Sequence, residues 1–174
     1  MAKLDTISVT LKIPGITEIK GVWKPDKTER EAAWEIYVEL ITRISTAELK
    51  PGEGLLREAL SSLYTLFNST RNILRKYGPT VAQARGKDNI SLGYLAVAIL
   101  NTVLRPVLAK WHPLLLDYEG NKEPSISPLE HEQRWDKAKE LRRELNGVRD
   151  ILTDYAELLA QVARVPSLKT REKE

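Results

Sequence analysis

Few residues in this chain could do chemistry, and two of them stand close together. The sequence holds two histidines and no cysteine. His112 follows Arg105 by seven residues, in the run RPVLAKWH. If that run is helical, both side chains fall on one face, two turns and about 10.5 Å apart. A titratable ring and a permanent cation would then share a surface. The second histidine, His131, sits between Glu130 and Glu132 and reads as a solvated surface residue. Other chemistries lack their residues. Without cysteine there is no disulfide scaffold and no thiolate zinc site. The Glu-x-x-His pairs of di-iron bundles are absent. Gly52 and Gly54 lack the Lys-Ser/Thr that completes a phosphate loop, and no G-x-S-x-G elbow occurs. No metal and no cofactor are expected.

The pattern Arg105-x6-His112 is similar to the active-site motif of HEPN-type domains, small helical proteins that are often metal-independent ribonucleases and work as dimers. The resemblance covers these two residues and the helical class. It implies that His112 takes or gives the proton of an attacking ribose hydroxyl and that Arg105 stabilises the charged phosphate. The plainer reading is structural. Arg105 would close an apolar helix by reaching solvent, and His112 would sit at its end, where the helix dipole favours cations.

Charge is unevenly placed. Net charge over 174 residues is only +3. Yet Arg71, Arg75, Lys76, Arg85, Lys87, Arg105 and Lys110 fall within residues 59–116, where the only acid is Asp88. These cations are candidates for binding RNA or another anion. They would equally serve as a solvated surface facing several directions.

The elements that must position these residues are mostly helical. Residues 7–24 are the exception. Val9, Leu11 and Ile13 alternate with polar neighbours, and Pro14-Gly15 is a turn signal, so a hairpin or extended arm is expected. Two strands alone are marginal in water, so the arm must lie on the helices or pair with a partner. Asp26 with Glu29, or equally Thr28 with Glu31, forms a capping box for a first helix whose apolar face runs through Trp34, Tyr37, Ile41 and Ile44, widened by Val38 and Leu40. The run Lys50-Pro51-Gly52-Glu53-Gly54 breaks it. Leu56, Leu60, Leu63, Phe67, Thr70, Leu74 and Tyr77 give a second helix a regular heptad seam. Polar groups at Asn68, Thr70, Arg71, Asn72, Asn101 and Thr102 would fix the register of the packing.

The third helix begins at Ser91, a natural N-cap. From Leu92 to Leu104 it carries no charge, so it should be covered on nearly every side. Gly93, Ala96 and Ala98 let neighbours come close. Pro106 removes a backbone donor and predicts a kink or short break at 105–106. The helix should stop near His112-Pro113, ahead of a polar loop. Ser127-Pro128-Leu129-Glu130 starts a fourth helix, expected to run to about Arg164, over 50 Å, with Gly147 as a weak spot where it could bend. Trp34, Tyr37, Trp111 and Trp135 read as core.

The fold class expected is all-α: an up-down-up-down four-helix bundle over residues 26–165, an N-terminal hairpin or arm over 1–25, and a disordered tail over 166–174. The function expected is a non-enzymatic protein–protein interaction module, docking on another protein or on itself. The alternative is the HEPN-like ribonuclease or RNA-binding domain using Arg105 and His112. The uncharged run is short of the ~20 residues a membrane span needs, so a cytoplasmic chain without a membrane partner is expected.

Overall fold

A computed structural model describes residues 6–43, 50 and 52–169. Strands β1 (Ile7–Ile13) and β2 (Thr17–Trp23) form an antiparallel hairpin in the register Ile7↔Trp23 to Ile13↔Thr17. Its turn uses the left-handed freedom of Gly15 (φ 76°), and the Ile16 N–H donates to the Ile13 carbonyl. The alternation expected from the sequence is the alternation seen. Val9, Leu11, Ile13, Ile19 and Trp23 are buried, while Ser8, Thr10, Lys12, Glu18 and Lys20 face water. The arm is therefore one wall of the chain's own core.

Helix α1 (Lys27–Ile41) starts with both bonds of the Asp26–Glu29 capping box in place. Its buried face is only in part the one expected. Ala32, Ala33, Ile36, Tyr37 and Leu40 are buried, and Trp34 is 40% exposed. Two alanines let α1 pack tightly against its neighbours and turn the larger indole outward. Ile44 lies outside the described residues. Helix α2 (Leu56–Tyr77) buries Leu56, Leu60, Leu63 and Thr70 of its heptad seam, with Phe67, Leu74 and Tyr77 partly covered. Gly78 (φ 71°) then turns the chain into a 3-10 helix, Gly78–Ala82.

Helix α3 (Leu92–Gly120) is capped by the Ser91 side chain, which accepts from the Tyr94 N–H. It departs from expectation three times. It does not break at Arg105-Pro106. Instead Ile99–Leu104 widen into π-helix, and the Arg105 N–H donates to the Leu100 carbonyl. A wider turn gives the Pro106 ring room that a regular turn denies it, so the helix continues. Nor does it stop at His112: Pro113 is accommodated within the helix, which runs on to Gly120. Finally, it is not covered all round. Tyr94 and Val97 are 51% and 45% exposed, and Leu114 and Leu116 also face water. By length and composition α3 could cross a membrane, yet half of its most apolar window is buried against the rest of the fold. Gly93 is as small as its place demands, since a Cβ there would stand 2.9 Å from that of Ala82.

The expected fourth helix is two: α4 (Pro128–Gln133), capped by Ser127, and α5 (Ala138–Ala163). The break lets Trp135 turn inward, edge-on to Trp111 at 5.9 Å and stacked on Tyr118 at 5.4 Å. At 26 residues α5 is roughly 39 Å long. It ends at Arg164 in the left-handed conformation. Beyond it, the Leu168 N–H donates to Tyr37 Oη at 2.7 Å, so the start of the expected tail is held. Helix α1 packs on α5 and α2, α2 on α3, and β1 on α5.

Candidate functional site

Arg105 and His112 both lie in the regular part of α3, are exposed, and share a face two turns long. That much follows the sequence. Their surroundings do not come from α3 but from α2. The Arg105 guanidinium sits over the Phe67 ring, its Cζ 5.7 Å from the centroid. His112 Nδ1 lies 3.0 Å from an Arg57 guanidinium nitrogen. Guanidinium can only donate, so Nδ1 accepts and the proton of the neutral ring is on Nε2. Arg57 is held in turn by Glu119, through Nε to Oε1 and Nη2 to Oε2, both at 2.9 Å. The ring lone pair a general base would use is therefore occupied by a cation. His112 is not at a helix end, so it does not cap α3.

The basic candidates divide into two groups. Lys76 pairs with Glu35, Arg85 with Asp26 and Glu29, and Lys110 with Glu140 and Glu144. Their charge is spent within the chain. Hydrogen bonds donated to Glu144 and Glu140 hold the Lys110 ammonium above its ordinary range. Arg71, Arg75 and Lys87 are exposed and, among the described residues, have no ionic partner. The polar residues expected to fix register are mostly at the surface: Asn72 and Asn101 are exposed, and Thr102 donates to the Ala98 carbonyl of its own helix. Thr70 alone of that set is buried.

Reading the sequence missed the two buried carboxylates. Glu29 is 1% exposed. Its Oε1 accepts from Trp23 Nε1 at 3.1 Å and the Leu92 N–H at 3.0 Å. Its Oε2 accepts from the Asp26 N–H at 3.0 Å and Arg85 Nη1 at 3.2 Å. One side chain thus ties the hairpin, α1, the basic loop and the start of α3. Burial pushes its carboxyl above the usual range, against the opposing bonds from Leu92, Asp26 and Trp23. Glu132 does the same work at the other end, where both its oxygens lie 2.9 Å from the Leu56 N–H and cap α2. Burial raises its pKa too, opposed by the Leu56 and Arg57 amides. His131 is not the surface residue its acidic neighbours suggested. It is buried, stacked on Tyr118 at 4.0 Å, with Nε2 donating to the Tyr118 carbonyl at 2.8 Å. Of these bonds, the sequence signalled only Glu29 to Asp26, through the capping box.

A cleft of about 410 Å³ opens between α1 and α2, lined by Trp34, Glu35, Val38, Glu39, Ser69, Asn72 and Ile73. Neither Arg105 nor His112 borders it. Among the described residues no three His, Asp or Glu side chains gather as metal ligands would. The chain matches no protein-family model, no curated protein and no solved structure.

Proposed function

We propose that this chain is a non-enzymatic helical interaction module of the cytoplasm. Its four long helices, α1, α2, α3 and α5, run up, down, up and down, and its working surface is the open side of α3. One observation carries the reading: the most apolar helix of the chain leaves Tyr94, Val97, Leu114 and Leu116 exposed. Large apolar side chains left exposed on a helix are what a partner surface buries. The His112–Arg57 bond points the same way, because it occupies the nitrogen that ribonuclease chemistry would need. The partner is another protein or a second copy of this chain.

The test is retention of a protein partner, or self-association by light scattering, in lysate treated with ribonuclease. Val97→Glu with Leu116→Glu should abolish it while leaving the circular-dichroism melt in place. Metal-free cleavage of RNA by the wild type, lost in His112→Ala, would overturn the proposal in favour of the HEPN-like alternative.

A further inference from the structure

The outer groove between α2 and α3 has a chemistry more specific than apolar exposure. Helices α2 and α3 run antiparallel, since Arg57 meets His112 and Phe67 meets Arg105. Arg71 and Arg75 lie one and two turns beyond Phe67 on α2. They therefore flank the part of α3 that precedes Arg105, which is where Asn101 and Val97 stand. The spacing 97, 101, 105 would drift around a regular helix. The π-helical stretch Ile99–Leu104, with more residues in each turn, keeps the three in line. Val97 is 45% exposed and Tyr64, one turn before Phe67 on α2, is 59% exposed. By this spacing Val97, Phe67 and Tyr64 share the outer face of α2 and α3 with Arg71, Arg75 and Arg105.

No acid offsets these arginines locally. On α2 the sequence has no Asp or Glu after Glu58, and on α3 none before Asp117. Among the described residues the three make no ion pair, whereas Lys76, Arg85 and Lys110 are each satisfied internally. We infer that this groove receives an acidic amphipathic helix of a protein partner, its apolar side on Val97 and Phe67 and its carboxylates on Arg71, Arg75 and Arg105. Carboxylates at i and i+4 of a helix stand roughly 5–6 Å apart at Cβ, the same repeat as Arg71 and Arg75 on α2. A nucleic acid is the weaker fit. Tyr64 and Phe67 offer stacking surfaces, but three of the seven basic candidates, Lys76, Arg85 and Lys110, are already neutralised within the chain.

The inference rests on the interaction-module reading, and the test separates the two. The probe is a fluorescent helical peptide of roughly 18 residues, with leucines along one face and Glu pairs at i and i+4. Its controls are the same peptide with Gln for Glu, with Lys for Glu, and an oligouridine. Binding to the full chain is read by anisotropy. The Glu peptide should bind about tenfold more tightly than the Gln peptide, a difference of about 1.4 kcal/mol. Arg71→Glu with Arg75→Glu should reverse the preference towards the Lys peptide, with an unchanged melt. Equal binding of Glu and Gln peptides, no binding of the Glu peptide, or tighter binding of oligouridine lost in the same variant would each overturn the inference. If that variant keeps a protein partner that Val97→Glu with Leu116→Glu loses, the module reading stands and the acidic-helix assignment falls.

Discussion

Glu29 and His112 are both ionisable side chains held by an arginine, and they occupy opposite environments. Glu29 is sealed in the core between the hairpin, α1 and α3, with Arg85 as one of four donors. His112 stands in water, hydrogen-bonded to Arg57. The residue whose type and spacing suggest chemistry is held by an exposed hydrogen bond. The residue that reads as an ordinary helix cap is the one through which three elements meet. Burial makes the difference: a buried carboxylate must be satisfied completely, and satisfying it organises its surroundings.

The largest effect expected is therefore at Glu29. Glu29→Ala leaves the Leu92 and Asp26 amides and the Trp23 indole without an acceptor, and should cost about 3–5 kcal/mol in urea unfolding. A loss below about 1 kcal/mol would dissolve the contrast. Glu132→Ala should cost about 2 kcal/mol, because it removes the cap of α2 and strands the buried Leu56 N–H.

A pH series sharpens the same comparison. The folded carboxyls of Glu29 and Glu132 titrate above the ordinary value of 4.5. The folded state therefore binds these protons more readily than the unfolded chain does. Their contribution is fully present below the unfolded value and is lost as pH rises through the raised folded values. Glu35 behaves oppositely: its bonds from Lys76 and Tyr77 lower its pKa, so its contribution is lost as pH falls through the folded value. The stability difference between wild type and Glu29→Gln should thus shrink or turn negative as pH rises from 4.5. A difference that grows with pH would show that Glu29 is held as a carboxylate by its donors and Arg85.

At the exposed end the effects are small. Arg105→Ala should cost about 0.5–1 kcal/mol, the worth of its contact with Phe67. His112→Ala should change stability by less than about 0.5 kcal/mol, as solvent-facing substitutions do. A loss at His112 comparable to that at Glu132 would place the Arg57–His112–Glu119 group among the structural knots.

Much of the local structure is legible in the residues themselves. The hairpin alternation, the caps at Asp26, Ser91 and Ser127 and the seam of α2 all rest on interactions within a few positions, and all are found where expected. Elements whose outcome depends on distant partners are where the reading failed. Pro106 is a helix breaker in isolation, but packing on α2 and α5 favours a continuous α3, and a π-helical stretch reconciles the two. The break between α4 and α5 has no glycine or proline to announce it. It follows from the space Trp135 fills against Trp111 and Tyr118.

The sequence by itself determined the hairpin, the starts of the helices capped by Asp26, Ser91 and Ser127, and that Arg105 and His112 share a helical face, because those properties depend on backbone preference and short-range spacing. Tertiary structure decided which charges are spent and which remain. Lys76, Arg85 and Lys110 found carboxylates far along the chain, while Arg71, Arg75 and Arg105 found none among the described residues, and no local pattern distinguishes the two sets. It also decided that α3 leaves Tyr94, Val97, Leu114 and Leu116 exposed, since a helix's own composition demands cover without saying which neighbour provides it.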